Sequence, residues 1–390
     1  MIITKIELTN WKNFQHAEVN LTERVFVVGA NASGKSNFLD TFRFVRDIVK
    51  RGLQYAVVEE RGGVTKIRCL SARAKNDVVI VMHLGSDAKV EPDWIYSLTF
   101  KHAGGGIFRN QAKIVEEKVW SGSRKEWILT RTEKNAEEDD ETLKFTHLEQ
   151  AATNKSFREI YRFFQESNYL HIVPQLVRDA HSYTLTANKE DYYGRNLLDR
   201  MAITASRTRN SYLGKINEVL RIAVPQLSDI EFTKDDKGIP HLEALYLHWR
   251  VKGAKQRESQ FSDGTLRLIG FMWALLDGSE TVLLEEPELY LHTYIVKQLP
   301  EFISRMQRKK GHVRQVIITT HSFDLLEGEG IGSDEVVVLE PSKEGTIAKT
   351  VSQIEEIKKY LSAGFNMAEA VIPRIAPKKI SSINQLKIWE

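Results

Sequence analysis

The residues from Gly29 to Ser36, Gly-Ala-Asn-Ala-Ser-Gly-Lys-Ser, satisfy the spacing GxxxxGK[ST]. The chemistry this spacing supports is phosphate binding. Successive backbone N–H groups and the N-terminus of a following helix make a positive concavity. Gly34 lets the backbone come close, the Lys35 ammonium can reach outer phosphates, and the Ser36 hydroxyl can take one position on Mg²⁺. Asn31, Ala32, Ser33 and Asn37 belong to the same cradle. The competing reading is a glycine-containing turn that binds nothing. The apolar run RVFVV before the loop, and Phe38, Phe42, Val45 and Val49 at helical spacing after it, supply the strand and helix that a phosphate loop requires. The motif names a nucleotide and not a reaction.

Three further clusters carry chemistry. Thr281 to Glu288 is an apolar strand that ends in carboxylates. Glu285 is placed to hold Mg²⁺, and Glu286 to orient or activate an attacking water. Glutamate at 285 is one methylene longer than the aspartate more usual there. The sequence reading sets this strand beside the strand of the phosphate loop. Phe261 to Arg267 opens an apolar helical run, and Ser262, Gly264 and Thr265 with the helix dipole behind them form a second phosphate-binding end. Alone, that loop is an ordinary N-cap and turn. Val316 to Ser322 is another apolar strand, ending in His321, and a lone histidine at a strand end is usually structural.

These residues need elements to position them. Residues 2–9 alternate as a strand and 24–28 read as a buried strand. From about 65 to 150 the chain is strand-rich: KIRCL, VVIVMHL, WIYSLTF, KIVEEKVW and EWILTRT, with a hairpin loop at Ala103–Gly106 and an acidic loop at Glu137–Glu141. From about 154 to 224 the apolar period is helical, and Pro225 ends it. From 243 the pattern returns to α/β, with LEALYLHW, TVLLEE, VIITTH and EVVVLE as strands. The layout predicts a split nucleotide-binding core (1–64 and 241–350), a β-rich arm (65–150), a helical lobe (151–240) and a helical tail (351–390). No internal repeat or low-complexity segment occurs.

Composition sets bounds. The hydrophobic share of 42% and charged share of 27% are those of a globular protein, and the net charge of +3 is too mild to argue for nucleic acid by itself. Cys69 is the only cysteine, which excludes an intrachain disulfide and a cysteine zinc cluster and fits a reducing compartment. The N-terminus has no apolar signal core, and no run approaches about 18 uncharged apolar residues. A cytoplasmic location without membrane contact is the expectation.

The order of the motifs is phosphate loop, Ser262 loop, acidic strand, histidine. In that order the chain resembles ABC-type ATPases of the RecF-like, SMC-like and OLD-like group, often described as AAA-type ATPases. ITKIELTNWKNF resembles the group's N-terminal strand and aromatic turn, and Gly194-Arg195-Asn196-Leu197 a recurring Gly-x-Asn-Leu. The resemblance implies an α/β P-loop NTPase fold of ABC-type head form, with a strand-rich arm and an inserted helical lobe. It implies ATP and Mg²⁺ as cofactors and an ATP-dependent homodimer, or higher homo-oligomer. The signature loop at Ser262, Gly264 and Thr265 would close over the nucleotide of a second subunit, with Glu286 and His321 catalytic. It also implies a separate effector protein such as a nuclease, DNA as a candidate partner, and a role in DNA transactions or anti-phage defence. Two features depart from the group. Thr293 stands where Leu-His-Pro would place proline, and no glutamine obviously bridges to the metal; Gln150, where strands give way to helices, is the nearest candidate.

Other readings fare less well. Asn188-Lys189-Glu190-Asp191 and Asp235-Asp236-Lys237-Gly238 spell GTPase motifs, but in reversed order and with no apolar strand before Asn188. A transporter ATPase would have its phosphate and signature loops closer together. The stretch after His321 is short and has no paired-aspartate metal motif, so a fused nuclease is not expected. Lys309-Lys310 and Lys378-Lys379 are short basic pairs that surface solvation explains. An ATP-binding scaffold without turnover remains the alternative to an enzyme.

Overall fold

The computed structural model describes residues 1–73, 76–104, 110–135, 138–179, 192–247, 254–278, 281–309 and 312–376. In chain order, β1 (Ile2–Trp11), β2 (Phe14–Asn20) and β3 (Arg24–Gly29) lead into helix α1 (Lys35–Arg51). A short α2 (Val64–Ile67) precedes β4 (Val78–Gly85), β5 (Trp94–His102), β6 (Ala112–Ser121) and β7 (Glu126–Thr132). Then come α3 (Arg158–Glu166), β8 (Asn168–Leu170), α4 (Pro174–Arg178), α5 (Leu197–Ile203) and α6 (Ser206–Ala223). Strands β9 (Leu227–Lys234), β10 (Pro240–Tyr246) and β11 (Ala254–Arg257) follow, then α7 (Asp263–Leu276), β12 (Val282–Glu285) and α8 (Thr293–Gln307). The rest is β13 (Arg308–Lys309), β14 (His312–Val313), β15 (Val316–Thr320), α9 (Phe323–Glu327), β16 (Val336–Ser342), β17 (Gly345–Thr350), α10 (Glu355–Ser362) and α11 (Met367–Ile375).

Two six-stranded sheets dominate. One, in the order β17-β16-β3-β15-β12-β8, is parallel apart from the edge pair β16–β17. The other, β2-β1-β4-β5-β6-β7, is antiparallel throughout and draws its strands from both 2–20 and 78–132. The mixed α/β, P-loop architecture is the expected one.

The parallel strands carry continuous apolar runs because both faces are covered. Val25 and Val27 of β3, Leu283 of β12, Ile317 of β15 and Val337 and Leu339 of β16 face one core, shared with the antiparallel sheet. Their neighbours Phe26, Val28, Val282, Leu284, Val316, Ile318, Val336 and Val338 face a second core, shared with α5–α9 and α11. Helix α1 lies between the two sheets. Besides the predicted stripe Phe38, Phe42, Val45 and Val49, it buries Leu39, Phe44 and Ile48. Ring contacts Trp11–Phe44 (5.1 Å), Phe14–Phe38 (6.1 Å) and Phe44–Phe100 (5.5 Å) fasten it to the antiparallel sheet.

Several local expectations are corrected. The acidic strand β12 does not lie beside β3; the histidine strand β15 pairs with both and separates them. KIRCL is not a strand: Lys66 and Ile67 end α2, and only Arg68 bridges to Trp11. The local run is apolar, but Gly62 and Gly63, both at positive φ, turn the chain into a helical start instead. LEALYLHW supplies β10, but in a separate three-stranded sheet with β9 and β11. The stretch read as helical also contains β8, which pairs parallel to β12 at the sheet's edge. The NKxD residues 188–191, Lys310 and Lys378–Lys379 lie outside the described residues. Among the described residues no helix is long and apolar enough to cross a membrane.

Candidate active site

Gly34 caps α1 in the left-handed region (φ 100°), and Ala32 is also left-handed (φ 61°). That conformation folds the loop over the helix's first N–H groups, which have no partners within the helix. A Cβ on Gly34 would stand 2.0 Å from Asn13 Nδ2. Asn13 in turn donates to Ser33 O (2.9 Å) and accepts from Asn37 Nδ2 (2.7 Å). The turn between β1 and β2 thus braces the cradle from below. Sequence reasoning missed Asn13; the only signal was the aromatic turn WKNF. Asn31 and Ala32 are exposed at the loop's crest, whereas Ser33 is buried.

Lys35 is buried, and its Nζ donates to Gly29 O (3.0 Å) and Ala30 O (3.3 Å). It lies 3.9 Å from Glu286 Oε1. Burial pushes its pKa down, against the pull of Glu286, Glu288 and Glu285. Ser36 Oγ donates to Glu285 Oε1, and Tyr169 OH donates to Glu285 Oε2. His171 Nδ1 lies 3.2 Å from the Glu285 carbonyl oxygen. Tyr169 and His171 come from β8 and the residue after it, and neither was singled out from sequence. A three-residue edge strand inside a helical stretch leaves almost no periodic signal.

Glu286 sits at positive φ (43°), a strained conformation for a non-glycine residue. Its N–H donates to Thr319 O (3.0 Å), and its carbonyl accepts from Arg267 Nη1 (3.1 Å) on α7. These two bonds turn its carboxylate toward His321, whose Nδ1 is 2.9 Å from Oε1. Lys35, Ser36, Glu285, Glu286 and His321 are therefore brought together.

The Ser262 loop is an N-cap: Ser262 Oγ accepts from Thr265 N (3.2 Å). A Cβ on Gly264 would stand 2.6 Å from Tyr290 O, so glycine is what lets α7 approach the acidic turn. Among the described residues no hydrogen bond or ion pair joins 262–265 to 29–37. Gln150 is not brought to the cluster either. Its neighbour Glu149 accepts from Leu53 N (2.9 Å), just beyond the C-terminal end of α1. That end is about 25 Å from Ser36 at a rise of ~1.5 Å per residue. The Gln150 backbone turn bonds instead to His147, Thr153 and Asn154.

The donors fit an ATP–Mg²⁺ pair. A cavity of about 380 Å³ opens beside Ser36, Asn37, Asp40, Arg61, Tyr169 and Glu285. Its oxygen pair Ser36–Glu285 is hard and anionic, as Mg²⁺ requires, and offers only two protein ligands. Among the described residues no group of three or more His, Cys, Asp or Glu could hold a metal ion. Phosphate and water would fill the remaining positions.

The chain is similar to the SMC head in a structure titled "Crystal structure of the SmcHead bound to the C-winged helix domain of ScpA", with TM-score 0.53 at 12% identity over 92% of this chain and 100% of that one. It is also similar to the "SMC head domain from Thermotoga maritima", with TM-score 0.45 at 13% identity over 90% of this chain and 99% of that one. No curated protein matches the chain. A family model described as "AAA domain, putative AbiEii toxin, Type IV TA system" matches residues 24–327. That match takes in the phosphate loop, the Ser262 loop, the acidic strand end and His321, and the chain belongs to this AAA-domain family.

Proposed function

We propose that the chain is an ATP-driven switch that closes as a head-to-head dimer around ATP and opens on hydrolysis. ATP binding and hydrolysis are the activities that its family and fold support. The observation that carries the reading is the convergence of Lys35, Ser36, Glu285, Glu286 and His321 at the ends of three adjacent parallel strands.

Mg²⁺-ATP, when bound, supplies the phosphoryl group and the charge that offsets its transfer. The chain's own residues do the rest. The loop from Gly29 to Ser36 and the first turn of α1 bind phosphate, and Lys35 moves from its carbonyl partners to outer phosphate oxygens. Ser36 and Glu285 hold the metal, with Tyr169 fixing Glu285. Glu286, aimed by Arg267 and Thr319, takes the proton of the attacking water, and His321 steadies Glu286. Ser262, Gly264 and Thr265 of a second copy cap the nucleotide, since among the described residues no hydrogen bond or ion pair joins this chain's own signature loop to its phosphate loop. A closed dimer grips the terminal phosphate from both sides, and that differential contact lets hydrolysis open it.

The output passes through a separate effector in the cytoplasm, in DNA transactions or anti-phage defence. The SMC head of known structure is bound to a domain of ScpA, and the family description names a toxin–antitoxin system. Both support a head that acts through a second protein. The test is turnover together with mass: purified chain should hydrolyse ATP, and light scattering should show a dimer at saturating Mg²⁺-ATP. A monomer that turns over ATP at every concentration would refute the sandwich.

A further inference from the structure

Glu288 has no role in the chemistry above, yet it sits inside the site at 6% exposure. Its Oε1 accepts a 2.5 Å hydrogen bond from Thr320 Oγ1, and its Oε2 is buried with no hydrogen-bond partner. Four charged or titratable groups face it: Glu286 on its own turn, His321 beyond β15, Lys35 at the head of α1 and Arg267 on α7. None forms an ion pair with it among the described residues. Loss of water favours the uncharged acid, and burial pushes the group up to about 7.

The Thr320 hydroxyl has a single hydrogen, and Glu288 receives it. The same oxygen accepts from Ser322 N at 3.0 Å. His321 stands between Thr320 and Ser322, so this hydroxyl spans the residue whose ring meets Glu286. The acidic turn and the histidine turn are thus tied at three points: Glu286 N to Thr319 O, His321 Nδ1 to Glu286 Oε1, and Thr320 Oγ1 to Glu288 Oε1. Only the third does not involve Glu286.

We propose that Glu288 is a positioning residue: through Thr320 its carboxyl fixes the turn that aims His321 at Glu286. The inference rests on reading Glu286 and His321 as the working pair. Without the Glu288 acceptor the Thr320 hydroxyl is free to rotate, Ser322 N loses its defined partner, and the His321 ring is no longer held to one direction.

The experiment compares Glu288→Gln, Glu288→Ala and Thr320→Val in two readouts: ATP turnover, and the ring signals of His321 by NMR with labelled histidine, identified by their loss in His321→Ala. Glutamine keeps the acceptor and the volume, so Glu288→Gln should hold kcat within about 3-fold of the parent. Glu288→Ala and Thr320→Val should lower kcat about 10- to 100-fold, the range for supporting-shell losses, with KM for ATP nearly unchanged. Both should also shift the His321 signals. Circular dichroism confirms that each variant is folded. Wild-type turnover and unmoved His321 signals in Glu288→Ala would overturn the proposal. So would a loss in Glu288→Gln as deep as in Glu288→Ala. Because the ring signals need no turnover, a parent without ATPase activity whose His321 still moves in Glu288→Ala would remove the hydrolysis reading and keep this one.

Discussion

His321 Nδ1 and Glu286 Oε1 meet at 2.9 Å across the ends of β15 and β12, and the same carboxylate oxygen faces Lys35 Nζ at 3.9 Å. One oxygen therefore sits between the residue that would grip phosphate and the residue that would sense it. Glu286→Gln keeps an oxygen for that position and removes the base. Turnover should fall by at least about 100-fold, as expected when a general base is lost, while ATP binding persists. Light scattering with Mg²⁺-ATP should then find a stable dimer; a variant that stays monomeric at saturation counts against the sandwich.

Lys35→Ala removes the buried ammonium that now bonds Gly29 O and Ala30 O. Isothermal titration should show ATP affinity reduced by about 100-fold or more, the equivalent of ~3 kcal/mol. Thermal melting should change little in the absence of nucleotide, since among the described residues Lys35 makes no hydrogen bond outside its own loop and its ion pair is the long one to Glu286. Retained affinity would show that the loop is not the phosphate site.

Tyr169→Phe deletes the hydroxyl that donates to Glu285 Oε2 and leaves the ring in place against Tyr192 (5.5 Å). Losing a supporting bond to a metal ligand typically weakens the metal about 10- to 100-fold. Turnover titrated with Mg²⁺ should therefore need a higher concentration for half-maximal rate, with ATP binding in chelator unaffected. An unchanged Mg²⁺ midpoint would remove Tyr169 from the metal site.

The contribution of Glu288 and Glu117 to stability should fall as pH rises through neutrality. Burial raises Glu288 to about 7 and Glu117 to about 6 from an ordinary 4.5. Groups raised in the folded state bind protons more tightly there than in the unfolded chain. Their protonated forms therefore stabilise the fold at low pH, and that contribution is lost from about pH 4.5 up through the folded values. Urea unfolding at pH 5 and pH 8 should show Glu288→Gln gaining on the parent at pH 8 by up to about 3 kcal/mol relative to pH 5. A pH-independent difference would mean that Glu288 titrates normally.

The site was more legible in the sequence than the fold around it, for physical reasons. Gly34, Lys35, Ser36, Glu285, Glu286 and His321 stand in motifs whose chemistry would fix residue type and spacing at the ends of buried strands, so the pattern stands out in one chain. The order of those strands does not stand out. A buried parallel strand looks alike wherever it lies in a sheet, and β15's place between β3 and β12 is set by crossovers that composition does not encode. Tyr169 and His171 escaped notice because β8 is three residues long. Gln150 was read from its position between strand-rich and helical stretches, and chain position does not determine which end of α1 a turn will reach. KIRCL failed as a strand because the glycine pair before it decided the backbone first.

The placing of β15 has one last consequence. Neighbouring strands stand about 4.8 Å apart, so the anchors of Lys35 and Glu285 are about 10 Å apart with His321 midway. Main-chain bonds fix that pitch, and side-chain exchanges in the interior leave it alone. A slip of β15 by a single residue would carry Ile317 from one hydrophobic core to the other and drive Val316 and Ile318 the opposite way. The oil that fills the two interiors thus works as a ratchet pawl on the histidine, and no small adjustment can change its reach without first turning the strand inside out.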